Sequence, residues 1–141
     1  MITPMKNLFI EKQIEIAAPA AVVWRVFTDP TLSRKMGGEY VTDWEAGSTI
    51  GWKDESGKMR SQGKILKIET GKLLKHNLFK DVDGVSTLTS VITYELRARQ
   101  DGKTTLSARE SFAEAQKDKD FADADLALDA ALAKLKAVAE S

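Results

Sequence analysis

The side chains that could carry chemistry in this chain fall on strands whose alternation points them to one face. The only histidine, His76, shares the face of an apolar strand with Leu74 and Leu78. An imidazole titrates near neutral pH, so His76 is the best candidate for proton transfer. In the last predicted strand, Glu110 follows apolar residues on the inward face. Inward polar groups are costly unless they are paired or hydrated, so this face is not a dry core throughout.

Turn positions predict how far apart these residues lie. With three-residue loops at the two Asp-Gly turns, His76 falls opposite Ser90 and Glu110 opposite Ile92. His76 and Glu110 are then separated by one strand, roughly 10 Å apart at two strand spacings. Tyr94 points inward from the same strand as Ser90. This spacing suits polar groups that face one ligand rather than a directly bonded catalytic pair.

Several structural roles compete with chemistry at these positions. Lys12 lies on the inward face of the first strand, and it would lie near Glu110 if the first and last strands pair. One interpretation is that Lys12 and Glu110 form a salt bridge at the mouth of a cavity. For His76, the alternative to proton transfer is a buried structural histidine that is hydrogen-bonded within the protein. No Gly-x-Ser-x-Gly elbow, phosphate-binding glycine loop or cysteine is present. We therefore predict no catalytic residue, metal site or cofactor.

Composition narrows the class of protein. The 141 residues are enough for one domain, residues 1–141, with a sizeable core. The 21 basic residues balance the 21 acidic ones, which argues against a nucleic-acid partner. The start, Met1–Lys6, shows no secretory signal pattern, and no apolar run approaches the ~20 residues that span a bilayer. We expect a cytoplasmic monomer or homodimer without membrane insertion.

The order of elements predicts how these side chains are positioned. Pro19 and Asp29-Pro30 each begin a short helix, and the second extends to about Lys35 before Gly37-Gly38. A long amphipathic helix covers Lys119–Ala139, and its apolar stripe needs a sheet to pack against. The strands are expected at Leu8–Ile16, Tyr40–Trp44, Thr49–Lys53, Met59–Glu69, Lys72–Lys80, Ser86–Arg99 and Lys103–Phe112.

Short motifs in a characteristic order make the chain recognisable. They are Val23-Trp24, Asp29-Pro30, Trp44–Gly47, Gly63–Ile68 and Leu74–Leu78. It resembles the bacterial family related to the heat-shock protein 90 ATPase activator, within the START-like (SRPBCC, Bet v 1-like) superfamily, from Leu8 to Ala139. The resemblance implies an α+β helix-grip fold: a seven-stranded antiparallel sheet, two short helices, and a C-terminal helix across a cavity. Many relatives bind lipids or other hydrophobic molecules, and some are polyketide cyclases.

The chain departs from the family pattern at two positions that would line the cavity. Met36 and Leu128 stand where relatives commonly have tryptophan, so the resemblance implies a differently shaped cavity here. The eukaryotic co-chaperones that resemble this domain also carry a separate chaperone-contacting domain. These 141 residues do not include it, so chaperone activation is not the expected role.

We predict that the chain binds or transports a small hydrophobic or amphipathic molecule without catalysis. One alternative is a cyclase- or hydrolase-like enzyme that uses His76 as acid–base, with Tyr94 or Glu110 positioning the substrate. Another is a protein-interaction module like the co-chaperones. The residues predicted to contact the ligand are Trp24, Phe27, Met36, Trp52, Leu74, His76, Leu78, Ser90, Ile92, Tyr94, Glu110, Leu128 and Leu132.

Overall fold

A single antiparallel sheet forms the body of the protein. The structure is a computed structural model that describes residues 7–141, except for the side chain of Val82. The expectation about a secretory signal in residues 1–6 concerns residues outside this range. The sheet order is β1-β7-β6-β5-β4-β3-β2, which confirms the predicted seven-stranded helix-grip architecture. The strands are β1 (Phe9–Ile16), β2 (Gly38–Thr42), β3 (Thr49–Asp54), β4 (Met59–Glu69), β5 (Leu73–Val82), β6 (Val85–Ala98) and β7 (Thr104–Phe112).

Three α-helices cover one face of this sheet. They are α1 (Ala20–Thr28), α2 (Pro30–Ser33), which a 3-10 turn continues through Met36, and the long α3 (Asp118–Glu140). The carboxylate of Asp29 caps α2 by accepting a hydrogen bond from the backbone N–H of Thr31, at 3.0 Å. The buried Ser33 hydroxyl donates to carbonyl oxygens at the end of α1, so the two short helices are tied together.

No helix within residues 7–141 is long and apolar enough to cross a membrane.

The core lies between the inner face of the sheet and the helices. Leu74 and Leu106 are fully buried on central strands, and Leu135 of α3 is almost as deeply buried above them. Val23 and Phe27 of α1 belong to the same apolar cluster. Burial of this stripe is what holds α3 on the sheet, because apolar surface removed from water is the dominant stabilising term.

The hairpin between β5 and β6 differs from the prediction. Its turn has two residues, Asp83 and Gly84, both with positive φ, instead of the predicted three-residue loop. A bulge after Leu78 shifts the register once more. His76 therefore pairs with Ile92, and the predicted pairing with Ser90 is wrong by two residues. A shift of two residues preserves which side chains face inward.

The hairpin between β6 and β7 has the predicted register. Ile92 pairs with Glu110, which confirms that prediction. Together with the corrected β5–β6 register, this places His76, Ile92 and Glu110 in one row across three neighbouring strands. Ile10 of β1 continues the row beyond Glu110. The two polar side chains thus flank one apolar residue on the inner face.

Candidate functional site

A cavity of about 420 Å³ lies between α3 and the inner face of the sheet. Side chains from α1, the 3-10 turn, three strands and one face of α3 surround it. They are Val26, Phe27, Met36, Tyr40, Trp52, Tyr94, Ala127, Ala130, Ala131, Leu132, Lys134 and Leu135.

The sequence of α3 explains why space remains beneath the helix. Ala127, Ala130 and Ala131 recur at helical spacing and present only methyl groups to the cavity. Leu128 and Leu132, on the neighbouring stripe, are buried against the core. One side of α3 therefore packs tightly, whereas the alanine side leaves a gap.

Aromatic rings form much of the wall. Phe27 and Tyr94 lie with ring centroids 5.1 Å apart, and Tyr40 meets Trp52 edge-to-face at 5.0 Å. Phe27 and Tyr40 are 6.1 Å apart, which joins the two pairs. These separations are typical of favourable aromatic contacts, so the four rings support one another as a rigid surface.

Trp44 supports this wall from behind, in an unusual backbone conformation. Its φ of 58° lies in the left-handed region, which is uncommon for a bulky residue. The ring packs against Tyr40 at 5.7 Å and against Trp24 at 6.5 Å. We infer that packing against these rings helps to hold the strained backbone in place.

Two tyrosine side chains bring hydroxyl groups to the cavity lining. The hydroxyls of Tyr40 and Tyr94 are near enough to influence each other's pKa. Burial raises the pKa of Tyr94 to about 12, and it raises the pKa of Tyr40 well above its usual value of 10. The Glu110 carboxylate adds a smaller upward effect on the pKa of Tyr94. Both phenols are therefore neutral at physiological pH.

Three polar residues on the inner face near the tyrosines, Ser90, Glu110 and His76, are only partly hydrogen-bonded. The Ser90 hydroxyl donates to the Glu110 carboxylate at 2.8 Å. Nδ1 of His76 lies 3.0 Å from the backbone oxygen of Asn77, which can only accept, so Nδ1 carries the proton. Nε2 is buried and has no hydrogen-bond partner among the described residues. Burial lowers the pKa of His76 below 6.5, so the ring is neutral at pH 7.

The structure brings five of the predicted ligand-contacting residues to the cavity: Phe27, Met36, Trp52, Tyr94 and Leu132. The other eight do not line it, and five of them are buried in or beside the core: Trp24, Leu74, His76, Ser90 and Leu128. His76 touches the back of the wall, since its ring lies edge-to-face with Tyr40 at 6.4 Å. The remaining residues outside the lining are Leu78, Ile92 and Glu110, which are half-buried.

The predicted salt bridge between Lys12 and Glu110 is wrong. Nζ of Lys12 lies 2.8 Å from a carboxylate oxygen of Asp125 and 3.2 Å from one of Asp129, both on α3. Pairing with Asp125, through a side-chain hydrogen bond, raises the pKa of Lys12. Lys12 therefore links β1 to α3 and does not pair with Glu110.

Sequence reasoning missed seven lining residues. Four of them follow from helical spacing, because Ala127, Ala130, Ala131 and Lys134 share one face of α3. The small size of three of these residues was the available signal for a gap. The other three lining residues could be identified only from the tertiary packing: Val26, Tyr40 and Leu135.

Within residues 7–141, no group of three or more histidine, aspartate or glutamate side chains is arranged to hold a metal ion.

Comparisons with known proteins agree on a family and a fold. The family model described as Activator of Hsp90 ATPase homolog 1-like protein matches residues 17–140. Protein MLL2253 from Mesorhizobium loti superposes with a TM-score of 0.75 at 18% identity, covering 92% of this chain and 95% of that one. ChR145 from Cytophaga hutchinsonii gives 0.73 at 26% identity, over 92% and 91% of the two chains. No curated protein matches this chain.

A further structural likeness is to DynU16, described as a protein in the dynemicin biosynthetic locus. Its TM-score is 0.78 at 16% identity, and the match covers 94% of this chain but only 47% of DynU16. Identities of 16% and 18% show a shared fold and nothing more.

Proposed function

We propose that this chain, which belongs to the Activator of Hsp90 ATPase homolog 1-like family, binds one small amphipathic molecule in the cavity beneath α3. The observation that carries this proposal is the cavity itself. Its volume of about 420 Å³ falls within the usual range for small-molecule sites, roughly 300–1,000 Å³. Its lining is mostly apolar and aromatic, with a few polar groups, which is the composition such sites have in general.

The chemistry of the wall supports a ligand with an apolar body. The half-buried rings of Tyr40 and Trp52 offer apolar surface to the cavity, and the almost fully buried rings of Phe27 and Tyr94 contribute smaller parts of the wall. The neutral hydroxyls of Tyr40 and Tyr94 can orient one polar group of the ligand. Met36 adds a flexible apolar side chain that can adapt to different shapes.

An enzyme that uses His76 receives less support. The unpartnered Nε2 atom is buried behind Tyr40 and does not line the cavity. A general acid or base must lie within hydrogen-bond reach of the reacting group, directly or through one water. Binding without chemistry is therefore the function that the geometry supports best.

The test is a titration of the purified protein with N-phenyl-1-naphthylamine, a neutral apolar fluorophore. Ala131→Phe places a ring in the cavity, so we expect this variant to remain folded and to lose probe binding. Ala133→Phe is the matched control, because Ala133 is exposed on α3 and does not line the cavity. Absence of probe uptake by the native protein, or equal uptake by Ala131→Phe, would contradict the proposal.

A further inference from the structure

One charged side chain stands at the cavity. Among the described residues that line it, Lys134 is the only lysine, and no arginine, aspartate or glutamate is present. It is exposed, one helical turn beyond Ala130 and Ala131, so its ammonium group can reach both the cavity and solvent. Amphipathic side chains of this kind keep the charge in water while their stems cover apolar surface.

Lys134 has no ion pair or hydrogen bond with any residue from 7 to 141. The residues three and four positions away on α3 are all alanine or valine, so no carboxylate of the same helix face can neutralise it. Nearby acidic residues of α3 are paired elsewhere: Asp125 and Asp129 with Lys12, and Glu140 with Lys136. Its positive charge is therefore available to a ligand.

The end of the cavity at Tyr94 disfavours an anion. Ile92 pairs with Glu110 and Tyr94 pairs with Ala108, so the Glu110 carboxylate is the diagonal neighbour of Tyr94 on the adjacent strand. A second negative charge at that end would meet this carboxylate in a poorly hydrated site, where like charges repel strongly. The cavity is thus polarised, with the Lys134 side chain in its lining on α3 and a carboxylate outside the lining next to Tyr94.

We infer that the ligand is a small apolar organic anion, such as an aromatic or aliphatic carboxylate. Its anionic group pairs with Lys134, and its apolar body lies against Trp52, Phe27 and Tyr94. A hydroxyl or carbonyl at its far end can hydrogen-bond with the tyrosine pair. This inference rests on the proposed binding function and adds the charge and orientation of the ligand.

The experiment compares two probes that differ by one charge. 8-Anilinonaphthalene-1-sulfonate carries a sulfonate on the ring system of N-phenyl-1-naphthylamine, which is neutral. We expect Lys134→Gln to weaken binding of the sulfonate about two- to fivefold, since a solvent-accessible ion pair contributes up to ~1 kcal/mol. Binding of the neutral probe should stay unchanged, and Lys134→Glu should weaken only the anion further. Lys119→Gln is the control, because Lys119 is exposed on α3 away from the cavity.

Ionic strength gives a second readout. The advantage of the anion should shrink between ~0.01 M and 1 M salt, as the screening length falls from about 30 Å to about 3 Å. If Lys134→Gln affects both probes equally, or neither, the inference about charge is overturned while the cavity proposal stands. If neither probe binds the native protein, or Ala131→Phe binds both as well as the native protein does, the cavity proposal itself fails.

Discussion

The buried His76 makes the stability of this protein depend on pH in a window where few other groups titrate. We expect the free energy of unfolding to fall as the pH drops below about 6.5, and we expect His76→Phe to remove that fall. The ring is only 4% exposed, Nδ1 donates to Asn77, and Nε2 has no partner within the described residues. Protonation would add a charge and a second N–H where no acceptor is present.

The sign and the size follow from proton binding. Burial lowers the pKa of His76 in the folded protein below its ordinary value of 6.5. Between these two pKa values the unfolded chain binds one proton more than the folded protein, so stability decreases as the pH decreases. The slope approaches about 1.4 kcal/mol per pH unit in that interval. Well above pH 6.5 both states are neutral, and the histidine contributes no pH dependence.

The assay is urea unfolding followed by fluorescence of the three tryptophans, at pH values from 8 to 5.5. His76 is the only histidine, so no other side chain with an ordinary pKa titrates in the middle of this range. The buried phenols of Tyr40 and Tyr94 stay protonated throughout. An NMR titration of the imidazole protons measures the folded pKa directly.

Two variants separate titration from packing. His76→Phe keeps a ring beside Tyr40 but cannot titrate, and His76→Gln keeps a donor for the Asn77 carbonyl without titrating. Both should give flat profiles between pH 7.5 and 5.5, whatever their absolute stability. A flat profile in the native protein would refute the reasoning. Variants that lose stability with falling pH as steeply as the native protein does would refute it too.

Three further predictions concern the stability of the sheet and of its contacts with neighbouring segments. Gly63→Ala should destabilise the protein by about 1–3 kcal/mol or more, because the new Cβ would lie 1.8 Å from the backbone oxygen of Asn77. Thr104→Val should cost about 1–3 kcal/mol, since the buried hydroxyl donates to the Ala18 carbonyl at 2.8 Å. Lys12→Gln should cost less than about 1 kcal/mol, because its ion pairs with α3 are partly solvated. All three are measured by urea unfolding at pH 7.5.

Matched substitutions sharpen these measurements. Gly51→Ala meets the flexible end of the Met59 side chain as well as backbone, so it should cost less than Gly63→Ala. Thr105→Val changes the neighbouring threonine, which is not fully buried, and should be nearly neutral. A loss of stability in Thr105→Val as large as that in Thr104→Val would contradict this reasoning. So would a Gly63→Ala variant as stable as the native protein.

The sequence alone predicted the elements and their order. Period-two alternation marked the strands, Pro19 and Asp29-Pro30 marked the two short helices, and the apolar stripe of 119–139 marked the helix that must cover a sheet. These signals are local, so a reader of the chain can find them without knowing any long-range contact. The Ile92–Glu110 register also followed from the turn between β6 and β7.

Only the tertiary structure decided which residues surround the cavity. The two-residue turn and the bulge after Leu78 each shifted the register by one residue, which moved the partner of His76 from Ser90 to Ile92. No local sequence pattern predicts the bulge. The position of α3 across β1 determined the partner of Lys12, because it placed Asp125 within ion-pair distance. Glu110 instead accepts a hydrogen bond from Ser90. Alternation tells which face a side chain takes, but the position of α3 over the sheet determines whether that face meets packed core or open space.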